Sequence, residues 1–179
     1  MLHSLPLLPY KPALMKPFLF IFLFFMGQAC PAQKQLSKDS ADFYLKKIDN
    51  HAVTFTFNDP FSATLNRDAG RLYRNADKYI MDKLIDALEN NSQVLVCHAL
   101  LTKLLDPVNK SFYYTTEDLT DTILLSCKFN GLSWVEIYDK INLTTEIRVD
   151  SSAMRTIQAY WVSKKGSPLY NLRTQGIKQ

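Results

Sequence analysis

Thr122-Ile123-Leu124-Leu125-Ser126-Cys127-Lys128-Phe129-Asn130-Gly131-Leu132-Ser133-Trp134-Val135-Glu136-Ile137-Tyr138 is the stretch that decides the fold. Asn-Gly at its centre is the dipeptide that best supports a type I′ turn, because both central residues take positive φ. A two-residue loop then sets the register: Phe129 opposite Leu132, Cys127 opposite Trp134, Leu125 opposite Glu136. Side chains alternate across a strand. Leu125, Cys127, Phe129, Leu132 and Trp134 therefore share one apolar face, with Cys127 lying against an indole ring. The strand-like Thr145–Val149 extends the sheet.

Working outward, the period changes from two to between three and four. Leu72, Tyr73, Ala76, Tyr79, Ile80, Leu84 and Leu88 recur at helical steps, which predicts a helix from about Gly70 to Glu89. Asn90-Asn91 ends it, and Ser92 is placed to cap a second helix through Leu105, stopped by Asp106-Pro107. Val94 to Leu101 is apolar on nearly every side, the mark of a helix inside a domain. So short a loop makes the two helices antiparallel neighbours. Ser37 caps a helix from residue 37 or 38 to Ile48, with Phe43, Tyr44 and Ile48 as its stripe. Val53–Phe57 alternates like a strand, and Asn58-Asp59-Pro60 is a turn. Asp150 or Ser151 caps a last helix, Ser152–Lys164, with Met154, Ile157, Tyr160 and Trp161 on one side. The fold expected is α+β: an amphipathic helix pair packed on a small antiparallel hairpin sheet, with a C-terminal helix. Its domain is bounded by residues 38 and 165, and a polar, flexible tail follows from residue 166 to residue 179.

The first thirty residues carry a different message. Phe18 to Met26 is an uncharged apolar run, about half the length a bilayer-spanning helix needs. Lys11 and Lys16 precede it and small residues follow, the pattern of an export signal over residues 1–29. Met15-Lys16 is itself a complete start for such a signal. Gly27-Gln28-Ala29-Cys30 resembles a bacterial lipobox, although that pattern prefers Leu where Gly27 stands. The resemblance implies diacylglycerol on Cys30, with residues 30–37 as a tether and the chain held on the membrane of the cell envelope, in the periplasm or at the outer membrane. Each buried methylene of such an anchor contributes about 0.8 kcal/mol. The alternative is plain secretion, cut after Ala29 or Ala32.

Charge and cysteine usage narrow the classes. Two of the 21 Lys and Arg residues lie in the leader and all 17 Asp and Glu residues follow it, which leaves the mature chain at +2. Basic residues do not cluster beyond Lys46-Lys47 and Lys164-Lys165, so nucleic acid is not expected as a partner. Cys97 and Cys127 lie among apolar neighbours and read as buried thiols in preference to a disulfide. No C-x-x-C occurs.

Three further resemblances concern the domain. Leu84-Ile85-Asp86-Ala87-Leu88 followed by Val96 to Leu104 resembles a single HEAT-type hairpin, but no second copy is present and one repeat makes no solenoid. His98-Ala99-Leu100-Leu101-Thr102, Phe129-Asn130-Gly131-Leu132 with Trp134, and an Asp150-led helix ending in Tyr160-Trp161 are similar to a pattern of small uncharacterised bacterial proteins. That similarity implies an α+β fold and no activity. Asp39-Ser40-Ala41 resembles a short O-glycosylation signal.

Candidates for chemistry are few. His98 lies on the apolar helix, where a nitrogen satisfied by a backbone carbonyl is the ordinary arrangement, and His51 lies in an exposed loop. Neither H-x-x-x-H nor H-E-x-x-H occurs, so no metal is expected, and with only five glycines no phosphate-cradling loop or cofactor site is indicated. Asp82 with Asp86 sits among Lys78 and Lys83 as a solvated helix face. Glu117, Asp118 and Asp121 fit the first turn of a short helix led by Thr115 or Thr116. Phe112, Tyr113 and Tyr114, beside Lys110, form an aromatic loop suited to contact with another macromolecule. The expected function is macromolecular binding by an envelope protein, of immunity or accessory type, with an unknown envelope protein as partner and no catalytic residue. The rival is a small hydrolase of cell-wall or extracellular polymers using Asp118, Asp121 or Glu136 in a cleft.

Overall fold

A computed structural model describes residues 35–56, 62–108 and 111–174. The leader, Cys30, Phe57, the Asn58-Asp59-Pro60 turn and Lys110 lie outside the described residues. The first helix, α1 (Lys38–Lys47), is capped by Ser37, whose Oγ accepts from the Ser40 N–H at 3.2 Å. Its buried face is Ala41, Leu45 and the following Ile48. Phe43, expected on that stripe, falls off it and is exposed, with the Lys47 ammonium over its ring at 4.8 Å. A short 3-10 turn, Asn50–Ala52, leads into β1 (Val53–Thr56), which pairs antiparallel with β2 (Ser62–Leu65).

The long helix expected from Gly70 to Glu89 is two helices, α2 (Arg67–Arg74) and α3 (Lys78–Asp86), followed by a 3-10 turn, Ala87–Glu89. Side chains that compete with the backbone break it. Asn75 Nδ2 donates to the Arg71 carbonyl at 2.8 Å, and Asp77 Oδ1 accepts from the Ile80 N–H at 2.9 Å, which starts a new helix. Leu72, Ile80, Leu84 and Leu88 are buried as their spacing requires.

At the centre stands α4 (Val94–Leu105), buried at every position from Val94 to Thr102. Ser92 does not cap it. Asn50, 45 residues away in sequence, does so instead: its Oδ1 accepts from the Leu95 N–H at 2.9 Å, and its Nδ2 donates to the Asn91 carbonyl at 2.7 Å.

The main sheet is an antiparallel meander of β3 (Phe112–Asp118), β4 (Thr122–Phe129), β5 (Leu132–Asp139) and β6 (Thr144–Val149). Phe129 faces Leu132, Cys127 faces Trp134 and Leu125 faces Glu136, the register that the Asn130-Gly131 turn dictates. Asn130 and Gly131 take φ of 44° and 91°. The expected aromatic loop and short helix before β4 are instead the strand β3; Phe-Tyr-Tyr-Thr-Thr is rich in side chains that suit a pleated surface. Burial is concentrated near the Asn130-Gly131 turn, at Cys127, Phe129, Leu132 and Trp134, while the opposite end is half-buried or exposed.

Asp150 caps α5 (Ser151–Lys164) through the Ser152 N–H at 2.9 Å, and Met154, Ile157 and Trp161 are buried. The segment expected as a flexible tail contains α6 (Pro168–Thr174). Its anchor is Tyr170, which is buried and donates from its hydroxyl to Asp82 Oδ1 at 2.6 Å.

Candidate binding surface

Alternation along β3 sends its three aromatic residues in different directions. Phe112 turns toward the core, its ring 5.8 Å from Phe55 and 6.0 Å from Trp134. It is part of the packing against the core. Tyr114 lies on the same side, 6.1 Å from Phe112, yet remains 50% exposed because the core does not extend over it. Tyr113 points to the opposite face and is 69% exposed. The aromatic cluster is thus divided by the strand itself.

That opposite face gathers Tyr113, Lys128 and Ser133 in one row across β3, β4 and β5, and Thr115, Ser126, Val135 and Arg148 in the next. Between them runs a shallow depression of about 350 Å3. Its lining is largely apolar, with hydroxyls, the Tyr113 phenol, the cations of Lys128 and Arg148 and the Asp150 carboxylate along it. Arg148 is held in place by Glu146 through two bonds, Nε to Oε1 at 2.7 Å and Nη2 to Oε2 at 2.8 Å. The guanidinium keeps the Glu146 carboxyl below the usual carboxylate range. A pleated, open face with a large phenol at one edge suits contact with another surface.

The carboxylates named as possible catalysts do not converge. Asp118 is exposed and pairs with the Lys140 ammonium at 2.5 Å. Asp121 is exposed in the following turn. Glu136 accepts from the Trp134 indole N–H at 3.0 Å. On α3, Asp86 is exposed, whereas Asp82 is a structural acceptor for Lys78 at 2.6 Å, Lys165 at 3.2 Å and Tyr170. Partial burial pushes the Asp82 pKa up, but those three donors outweigh it and bring it down to about 2. A different groove, about 460 Å3, does collect two carboxylates and a histidine: Asp49, Glu146 and His51, beside Asn91, Ser92 and Thr145. Both carboxylates are engaged there, Glu146 by Arg148 and Asp49 by the His51 backbone N–H at 2.9 Å. Sequence alone placed none of these three together.

His98 is fully buried and saturated. Its Nε2–H donates to the Phe129 carbonyl at 3.0 Å, and its Nδ1 accepts from the Trp161 indole N–H at 2.9 Å. Burial lowers its pKa to about 4, so the ring is neutral near pH 7. The carbonyl partner follows the ordinary expectation for such a histidine; Trp161, 63 residues on, is the partner sequence could not supply. Cys97 and Cys127 are free and buried, and burial pushes both thiols up to about 12, with the Glu136 charge adding to the effect at Cys127. Nucleophilic thiolate chemistry needs the reverse shift.

Ser40 of the Asp39-Ser40-Ala41 stretch lies in the first turn of α1, and its hydroxyl accepts from Ser37 Oγ at 2.9 Å. Among the described residues no group of three His, Cys, Asp or Glu side chains is arranged to hold a metal ion, and no helix is long and apolar enough to cross a membrane. No protein-family model matches this chain, and neither a curated protein nor a solved structure matches it.

Proposed function

We propose that this chain is an exported, lipid-anchored protein of the cell envelope that works by binding another macromolecule, as an immunity or accessory protein does. The observation that carries the binding half is the open face of the sheet, with the 69% exposed Tyr113 at its edge. A large aromatic ring held on a strand offers contact area at little entropic cost. The export half rests on the apolar run Phe18–Met26 and on Cys30. Labelled palmitate is expected in the wild-type chain and not in Cys30→Ala; equal labelling rejects the anchor. Capture from envelope extract on the full chain is expected to retain a partner that Tyr113→Ser/Tyr114→Ser releases. Retention of nothing, together with degradation of a glycan or peptide by the purified protein, rejects the binding reading.

The hydrolase reading keeps one observation in its favour, the groove shared by Asp49, His51 and Glu146. Both carboxylates are tied to local donors, and Glu146 is held ionised by Arg148, the wrong state for a general acid. Loss of polymer degradation in His51→Ala is the outcome that would favour that reading.

A further inference from the structure

We propose that the end of the sheet far from the Asn130-Gly131 turn is a preorganised apolar contact that enters an apolar cleft rimmed by basic residues on a partner protein. This rests on the binding reading above and adds a second contact, separate from Tyr113, whose partner chemistry it specifies. Two turns meet at that end, residues 119–121 between β3 and β4 and residues 140–143 between β5 and β6. They present Leu119, Ile141 and Leu143, which are 41%, 71% and 72% exposed. Leu143 has φ of 54°, the left-handed region that Gly or Asn fills readily and a bulky side chain resists.

The turns are firmly held. Asp139 Oδ1 accepts from the backbone N–H groups of Ile141 at 2.8 Å and Asn142 at 2.9 Å, and its Oδ2 accepts from Asn142 Nδ2 at 2.7 Å. Lys140 ties one turn to the other. Its backbone N–H donates to the Asp121 carbonyl at 2.9 Å, and its ammonium donates to Asp118 Oδ1 and to the Leu119 carbonyl, each at 2.5 Å. Exposed aliphatic side chains and a left-handed leucine both oppose folding, and reversing the chain requires neither. A contact surface accounts for all three side chains, and a fixed turn loses little freedom on docking.

Charge identifies the occupant. At this end of the sheet Glu117, Asp118, Asp121 and Asp139 stand against Lys140, while farther along it Glu146 is paired with Arg148 and Glu136 accepts from the Trp134 indole. Lys128 stands next to the Asn130-Gly131 turn, at the opposite end. Carboxylates thus surround the apolar tip, which repels an anionic lipid surface and attracts a cation-rimmed protein cleft.

The full chain is panned against phage-displayed random dodecapeptides, in parallel with Leu143→Gly, Ile141→Ser/Leu143→Gly and Tyr113→Ser/Tyr114→Ser. Peptides that combine Lys or Arg with aromatic or long aliphatic residues are expected to enrich. Their affinity should fall about tenfold or more in Ile141→Ser/Leu143→Gly, hold in the tyrosine variant, and weaken at high salt. Leu143→Gly is expected to keep or raise the thermal midpoint, by up to about 2–4 °C, so a loss of binding there is not a loss of folding. Enrichment of neutral or acidic peptides overturns the assignment. So does tip-dependent binding to phosphatidylcholine vesicles. Peptides released only by the tyrosine variant, or no enrichment while envelope capture succeeds, remove the tip proposal and leave the binding reading standing.

Discussion

At the residue scale, His98 shows how a polar group survives in an apolar helix. Both ring nitrogens are used, one on β4 through Phe129 and one on α5 through Trp161, so the imidazole joins three elements across the core. His98→Leu removes both bonds and strands a carbonyl and an indole N–H away from water, which is expected to cost about 3 kcal/mol in urea unfolding. The same residue sets a pH dependence. The unfolded chain takes up a proton near 6.5, whereas the folded state resists until about 4. Below 6.5 the unfolded state therefore binds more protons, and stability falls as pH drops through that window. Full stability lies above 6.5, and the total lost by pH 4 is of the order of 3 kcal/mol. Chemical unfolding at a series of pH values checks the slope, which should flatten in His98→Gln. The histidine's helix and its apolar setting were legible in the sequence; its second partner was not, since the register between α4 and α5 is a tertiary fact.

At the element scale, caps decide where helices begin, and local sequence identifies them only when the cap is local. Ser37, Asp77 and Asp150 cap the helices that directly follow them, and the first and last are plain in the sequence. Asp77 is equally local, but the apolar spacing of Leu72 to Leu88 continues across it and disguises the break between α2 and α3. The central helix is different, because Asn50 reaches its first turn from the other side of a strand pair and two helices. Asn50→Ala is expected to destabilise by about 1–2 kcal/mol, and Ser92→Ala by less than about 0.5 kcal/mol. Equal losses in the two variants would return the cap to Ser92. For α6, a single buried tyrosine in seven residues leaves no periodicity to read, so the helix was invisible before packing placed Tyr170 against Asp82.

At the scale of the whole molecule, protection follows burial. The helix α4 and the strand ends at Phe129, Leu132 and Trp134 lie in the core, while Tyr113 to Asp118 and Thr144 to Glu146 are exposed. Hydrogen exchange should therefore be slowest in α4 and in the hairpin next to Asn130-Gly131, and fastest along β3 and β6. Uniform protection across the four strands would mean that the far end of the sheet is covered in solution. The placement of the three aromatic residues of β3 was legible only in part, on the same grounds. The exposure of Tyr113 and Tyr114 could not be separated from the half-buried packing of Phe112 without knowing that the segment is a strand.

The sequence by itself determined what is set by near neighbours: the α+β class, the Asn-Gly register of the hairpin, the local caps and the buried identity of α4. These depend on φ preference, side-chain alternation and helical spacing, each of which acts over a few residues. Tertiary structure decided the Asn50 cap, the Trp161 partner of His98, the division of the β3 aromatics between two faces and the docking of α6. Each of those joins residues distant in the chain or depends on which face meets the core, and only packing chooses such partners.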